Sequence, residues 1–172
     1  MRGLSKGVGA MVIVVGCFLP TGVSAQEEAT RLPIPHEQVF SVNPFLLLGE
    51  WVNVEYERKV STVGTVGAMG SWLTVGDGTL TSLAGFYRYY PQGSALSGFF
   101  LEGRGGFYHV SEDDDSGQAF GTGIHIGYNW LFGSSRSFYL SMGLGANRLF
   151  GEDIEGRVVL PSFRLLRIGI AF

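Results

Sequence analysis

The reading of one stretch decides the fold: "SGFFLEGRGGFYH", residues 97–109. Taken two by two, Phe99, Leu101 and Phe107 share a face with Gly103 and Gly105, while Phe100, Glu102, Arg104 and Tyr108 share the other. A two-residue period is that of a β-strand, whose successive side chains point to opposite sides. Here one side is apolar and the other sets a carboxylate and a guanidinium among aromatic rings. The contrast recurs in "AFGTGIHIGYNW" (119–130), where Ile124, Ile126, Tyr128 and Trp130 oppose Gly121, Gly123, His125, Gly127 and Asn129. In "SFYLSMGLGAN" (137–147) Phe138, Leu140, Met142 and Leu144 oppose Tyr139, Ser141, Gly143 and Gly145. In "SFRLLRIGIAF" (162–172) Leu166, Ile168, Ile170 and Phe172 alternate with Arg167, Gly169 and Ala171.

Working outward, turn chemistry separates these runs: "VGDG" at 75–78, "PQGS" at 91–94, "SEDDDSG" at 111–117, "GSS" at 133–135 and "GEDIEG" at 151–156. The pattern predicts strands near 62–74, 80–90, 98–109, 118–131, 137–149 and 160–172. The upstream run 39–59 is too long for one strand, and a split at Gly49 and Glu50 brings the total to eight. No segment after Gln38 sustains a helical period, and no sequence repeat exists beyond the hairpin rhythm.

Which face meets the surroundings follows from the polar one. It carries Glu55, Glu57, Arg88, Glu102, Arg104, His125 and Arg167, but also Phe86, Phe100, Tyr108, Tyr139 and many glycines. Glycine weakens a solvated strand, whereas inside a narrow barrel it makes room for a large neighbour. A solvated face would also carry lysine, and after the first 25 residues only Lys59 remains. The polar face therefore reads as a filled lumen, whose charges must pair because isolated buried charges are costly. The other face, with Leu83, Tyr87, Leu101, Ile124, Ile126, Leu140, Met142, Leu144, Ile168 and Ile170, reads as the exterior. Strands of about 10 tilted residues cross a bilayer's apolar band. Aromatics gather near strand ends, Trp51 and Phe107 with Phe120 and Phe150 towards one rim, and Tyr89, Tyr90, Trp130 and Phe172 with Phe132 and Phe138 towards the other. Amphipathic rings at headgroup depth form such girdles.

Composition agrees. The 172 residues include 27 glycines, about twice the usual share, and 16 % charged residues against about 25 % in soluble domains. Residues 1–25 read as a secretory signal: Arg2 and Lys6, an apolar core, then Val23, Ser24 and Ala25 as the cleavage site. A competing reading takes "VVGC" (14–17) as a lipoprotein box with Cys17 lipidated. Residues 26–37, with Pro33, Pro35 and His36, read as an extended lead-in, and 38–172 as the barrel. Without Arg2 and Lys6, ten basic residues face fifteen acidic ones, net −5, which excludes a nucleic-acid binder.

The terminal strand ending on Phe172 resembles the C-terminal signal of outer-membrane barrels, which their assembly machinery reads. The chain from 38 to 172 resembles the small eight-stranded barrels typified by OmpX, OmpW and the membrane domain of OmpA. "NPFLLLGEWVNVEYERKV" (43–60) is closer still to a family of small outer-membrane barrels sharing an Asn-Pro start, an apolar stretch and a Tyr-Glu-Arg segment, here Tyr56, Glu57 and Arg58. The resemblance implies an all-β, eight-stranded antiparallel transmembrane barrel closed by the C-terminal strand, in a Gram-negative outer membrane, with no assigned chemistry. With both termini periplasmic, 49–50, 75–79, 110–117 and 150–159 fall outside the cell, and the turns 60–61, 91–97 and 132–136 in the periplasm.

The expected role is structural, adhesive or one of minor permeability, with no catalytic residue, metal or cofactor. The lumen charges form either a plug or a gated narrow pore, with His125 as one more lumen hydrogen-bonding group. Expected partners are outer-membrane lipid and lipopolysaccharide and the barrel-assembly machinery, with the chain itself a monomer. Two rivals stand. One is a lipid A-modifying enzyme built on His109 with Ser111, Glu112 and Asp113, although neighbours in one loop are poorly held for triad chemistry. The other is a soluble barrel enclosing an apolar ligand. Asp113, Asp114 and Asp115 lack the spaced oxygens of a calcium motif.

Overall fold

The computed structural model describes residues 36–47, 49, 51–76, 78–112, 115–150 and 159–172. The expected signal sequence, most of the lead-in, Glu50, Asp113, Asp114 and the segment 151–158 lie outside the described residues. The strands are β1 (Gln38–Val42), β2 (Trp51–Lys59), β3 (Gly64–Val75), β4 (Gly78–Tyr89), β5 (Gly98–Glu112), β6 (Asp115–Phe132), β7 (Phe138–Phe150) and β8 (Val159–Ala171). Each pairs antiparallel with its sequence neighbours, and β8 pairs with β1 to close an eight-stranded barrel. Because β1 is short, β8 is paired on that side only from Ile168 to Ala171 and β2 only from Val54 to Arg58, so the closing ladder spans one end of the barrel.

Three elements depart from the expected boundaries. First, 39–48 is not one strand: β1 stops at Val42, and Pro44–Leu47 form a single helical turn, α1. Pro44 has no N–H for a ladder, and the Asn43 side-chain oxygen accepts hydrogen bonds from the amides of Phe45 (3.1 Å) and Leu46 (3.2 Å). Asn as cap and Pro at the first helical position is a favoured helix start. Second, the 110–117 loop is mostly ladder, because β5 and β6 stay paired to Glu112↔Asp115. Cross-strand pairing satisfies the backbone even where the side chains read as loop.

Third, the turn after β4 is a lid. Residues 91–97 fold back beneath the barrel, with Ala95 N–H bonded to the Thr62 carbonyl (2.9 Å) and Tyr90 N–H to that of Val63 (2.7 Å). Leu96 is fully buried against Val39, Tyr139 and Ala171, and Ala95 packs with Tyr90 and Phe100. Leu96 holds a φ of 76°, a left-handed conformation that costs a residue with a Cβ about 1–2 kcal/mol. Burial of its side chain, worth about as much, offsets that strain. His36, expected to be incidental, donates from Nε2 to the Ser135 carbonyl (2.8 Å) at the same end of the barrel.

Candidate functional site

The two-residue period sorts side chains across the wall. Outside, Ile124 is 74 % exposed and Leu83 66 %, with Leu101, Ile126, Met142, Leu144 and Ile170 also exposed. Inside, Arg88, Glu57, Glu55, Glu102, His125 and Arg167 are buried at 2 % or less. The apolar face points out and the ionised one in.

Arg88, from β4, is the hub. Its Nε donates to Glu102 (2.7 Å), its Nη2 to Glu55 (2.6 Å), and its Nη1 to Glu57 and to the Tyr139 hydroxyl (3.3 Å). The guanidinium lies between the rings of Phe86 and Phe100, 4.3 and 4.8 Å from their centroids, where cation–π attraction adds to the ion pairs. Glu57 also accepts from Thr65 Oγ1 (2.5 Å) and from the Tyr90 hydroxyl (2.7 Å), which in turn accepts from Asn129 Nδ2 (2.8 Å). Arg104 donates twice to Glu102, through Nε at 2.8 Å and through Nη2. His125 Nδ1 lies 3.6 Å from the Glu102 carboxylate, and neither ring nitrogen has a hydrogen-bond partner among the described residues.

Arg164 was not legible from alternation. It bridges Glu55 (2.9 and 3.0 Å through Nη1) and Glu102 (2.8 and 3.2 Å through Nη2), while Arg167 reaches Glu55 (2.6 Å). Positions 164 and 167 differ by three and should lie on opposite faces. They share one because β8 carries a bulge: Ser141 pairs with Arg167 and Gly143 with Arg164, three β8 steps against two on β7. The bulge also turns Phe163 outward, 69 % exposed. By parity Arg164 would share the apolar face of Leu166, Ile168 and Ile170, and a guanidinium on that face is the one sequence signal that could have marked the bulge.

Glycines opposite rings let these large groups fit. A Cβ at Gly127 would run into the Phe100 ring, and one at Gly145 into His125. These are cross-strand partners, Phe100↔Gly127 and His125↔Gly145.

Two residues expected in aromatic girdles are not there. Tyr90 is wholly buried, continuing the inward parity of Ala84, Phe86 and Arg88. Trp51 shares its parity with Asn53, Glu55 and Glu57 and lines the lumen mouth with its indole N–H buried. Nearness to a strand end suggested the exterior for both, and strand parity overrides it. Tyr89, Phe107 and Phe172 are exposed on the outer surface, and Trp130 stacks there on Tyr128, centroids 4.7 Å apart. Phe107, Phe120 and Phe150 contact in series at one end (5.3 and 6.5 Å), and Phe132 meets Phe138 at the other (6.2 Å).

The proposed catalytic grouping around His109 is not assembled among the described residues. His109 is exposed, pairs across the ladder with Thr81 and Gln118, and makes no hydrogen bond to Ser111. Among the described residues no cluster of three or more His, Cys, Asp or Glu could hold a metal ion.

No protein-family model matches the chain, and no curated protein does. Among solved structures, the N-terminal β-barrel domain of Pseudomonas aeruginosa OprF is similar, with 18 % identity, a TM-score of 0.45, and coverage of 78 % of this chain and 94 % of that one.

Proposed function

We propose that the protein is an integral outer-membrane barrel that does no covalent chemistry and whose lumen is sealed by its own side chains. One observation carries this reading: the barrel is apolar outside and ionised inside. Side chains such as Ile124 and Leu83 stand free while Arg88 and Glu57 are fully enclosed. In water so continuous an apolar belt would drive aggregation. In a bilayer it is the matching solvent surface, with aromatic groups near both rims at headgroup depth. The Arg88 network closes mid-lumen, and the lid at Leu96 closes the end where β8 terminates. Outer-membrane lipid and lipopolysaccharide would surround the belt, and the barrel-assembly machinery would receive β8.

Cell fractionation followed by carbonate washing tests this placement. The protein is expected to stay with the outer membrane, to need detergent for release, and to change gel mobility on heating as folded barrels do. Recovery in the soluble fraction without detergent would overturn the reading.

A further inference from the structure

Beyond the ion-pair layer, away from the Leu96 lid, the barrel encloses a cavity of about 750 Å³, within the about 300–1,000 Å³ of small-molecule sites. Much of its wall is apolar, from Trp51, Met69, Leu80, Ala84, Val110 and Leu149. The charged groups lining it, among the described residues, are Arg104, Arg164 and Arg167, with no carboxylate. Glu55 and Glu102 are bound to these same guanidiniums yet do not reach the cavity, so its charged part is cationic.

The count is uneven as well. Among the described residues the network holds four guanidiniums, Arg88, Arg104, Arg164 and Arg167, against three carboxylates, Glu55, Glu57 and Glu102. Arg167, 2 % exposed, bonds Glu55 through Nη1, while its Nη2 is buried without an acceptor among the described residues. Trp51 Nε1 and Asn147 Oδ1, on the same cavity, are likewise buried without partners among the described residues. Five other buried atoms, on Ser41, His125, Asn129 and Ser141, also lack partners among the described residues, so what marks this chamber is that its three orphans lie together with a cationic floor and an apolar wall.

We propose that this cavity binds a single-chain amphiphile with an anionic head group. The head accepts hydrogen bonds from Arg167 and its neighbours Arg104 and Arg164, in the charge-assisted geometry guanidinium favours. The alkyl chain runs along Met69, Leu80 and Val110 towards Trp51. The added negative charge balances the excess guanidinium, and the chain fills apolar space.

Trp51 supplies the readout. The chain has three tryptophans, and Trp72→Phe with Trp130→Phe removes the two that are not in the cavity lining. Dodecanoate carrying bromine on its terminal carbon is titrated into the full-length protein in non-ionic detergent. Saturable quenching of Trp51 is expected, at a midpoint at least tenfold below that of the equivalently brominated dodecanol. Equal quenching by the neutral alcohol would mean that grease alone enters, and would overturn the proposal. Displacement of the probe by millimolar acetate or phosphate would identify a free small anion as the occupant, and overturn it too. Arg167→Gln leaves Glu55 paired with Arg88 and Arg164, and is expected to raise the midpoint at least tenfold. Ser82→Leu, which fills the cavity without touching an ion pair, is expected to abolish saturation whether or not the arginine variant folds. Unchanged binding in the Ser82 variant, with native gel mobility, would sink the assignment.

Discussion

Arg88 joins three carboxylates with its three guanidinium nitrogens, a task lysine's single ammonium cannot perform. Removing one member of a buried ion-pair network strands the others in a low dielectric, at about 3–5 kcal/mol. Arg88→Met is therefore expected to lower barrel stability by about that much. Arg88→Lys should recover only part of it, and Arg167→Met should cost less, because Glu55 keeps two other arginines. Guanidinium unfolding of the micelle-bound protein, followed by tryptophan fluorescence, ranks the three. An Arg88→Met midpoint equal to wild type would show that the network contributes nothing to stability. Much of this network is visible in the sequence, because parity alone sends Glu55, Glu57, Arg88, Glu102, Arg104, His125 and Arg167 inward. That Arg88 is its centre is not, since strand neighbours say nothing about which groups meet across a lumen.

At the scale of elements, the β8 bulge does what alternation forbids, placing Arg164 and Arg167 on one face. Exchanging the two neighbours, Phe163→Arg with Arg164→Phe, puts a guanidinium at the outward position that the bulge gives Phe163, in the apolar belt. There an arginine costs about 2–4 kcal/mol at mid-bilayer depth, while Glu55 loses a partner. The variant is expected to insert poorly into bilayers and to lose its heat-dependent gel mobility. Wild-type refolding yield would mean that the bulge is incidental. The lid follows from similar local chemistry. "PQGS" marks a turn, but only the packed structure folds that turn inward and buries Leu96 at a positive φ. Likewise Pro44 announces a break in the 39–59 run, yet the expected split lay several residues later. Asn43 and Pro44 together read as a helix start, and the structure breaks the run there, ahead of Gly49.

For the whole molecule, eight strands enclose a lumen just wide enough for side chains, and this one is filled at two levels, by the Arg88 network and by the lid. The protein is therefore expected to be electrically silent in planar bilayers at moderate voltage. Steady single-channel steps would replace the plug with a pore whose ion pairs exchange partners. Above the plug the chamber remains, so occlusion and a ligand site coexist in one short cylinder. Its cationic floor and apolar wall come from seven of the eight strands, β2 to β8, each supplying two to five residues.

The sequence by itself determined the alternating strands, their antiparallel order and the sense in which the faces point, because each is a property of neighbours along the chain. Strand parity needs no knowledge of what lies across the barrel. The tertiary structure alone decided the inward turn of Arg164, the folding of Leu96 beneath the lumen and the grouping of three arginines around one cavity. These depend on closure, on cross-strand register and on a single extra residue in β8. A shift of one position there reverses every side chain beyond it, and nothing in a linear period records where that shift falls.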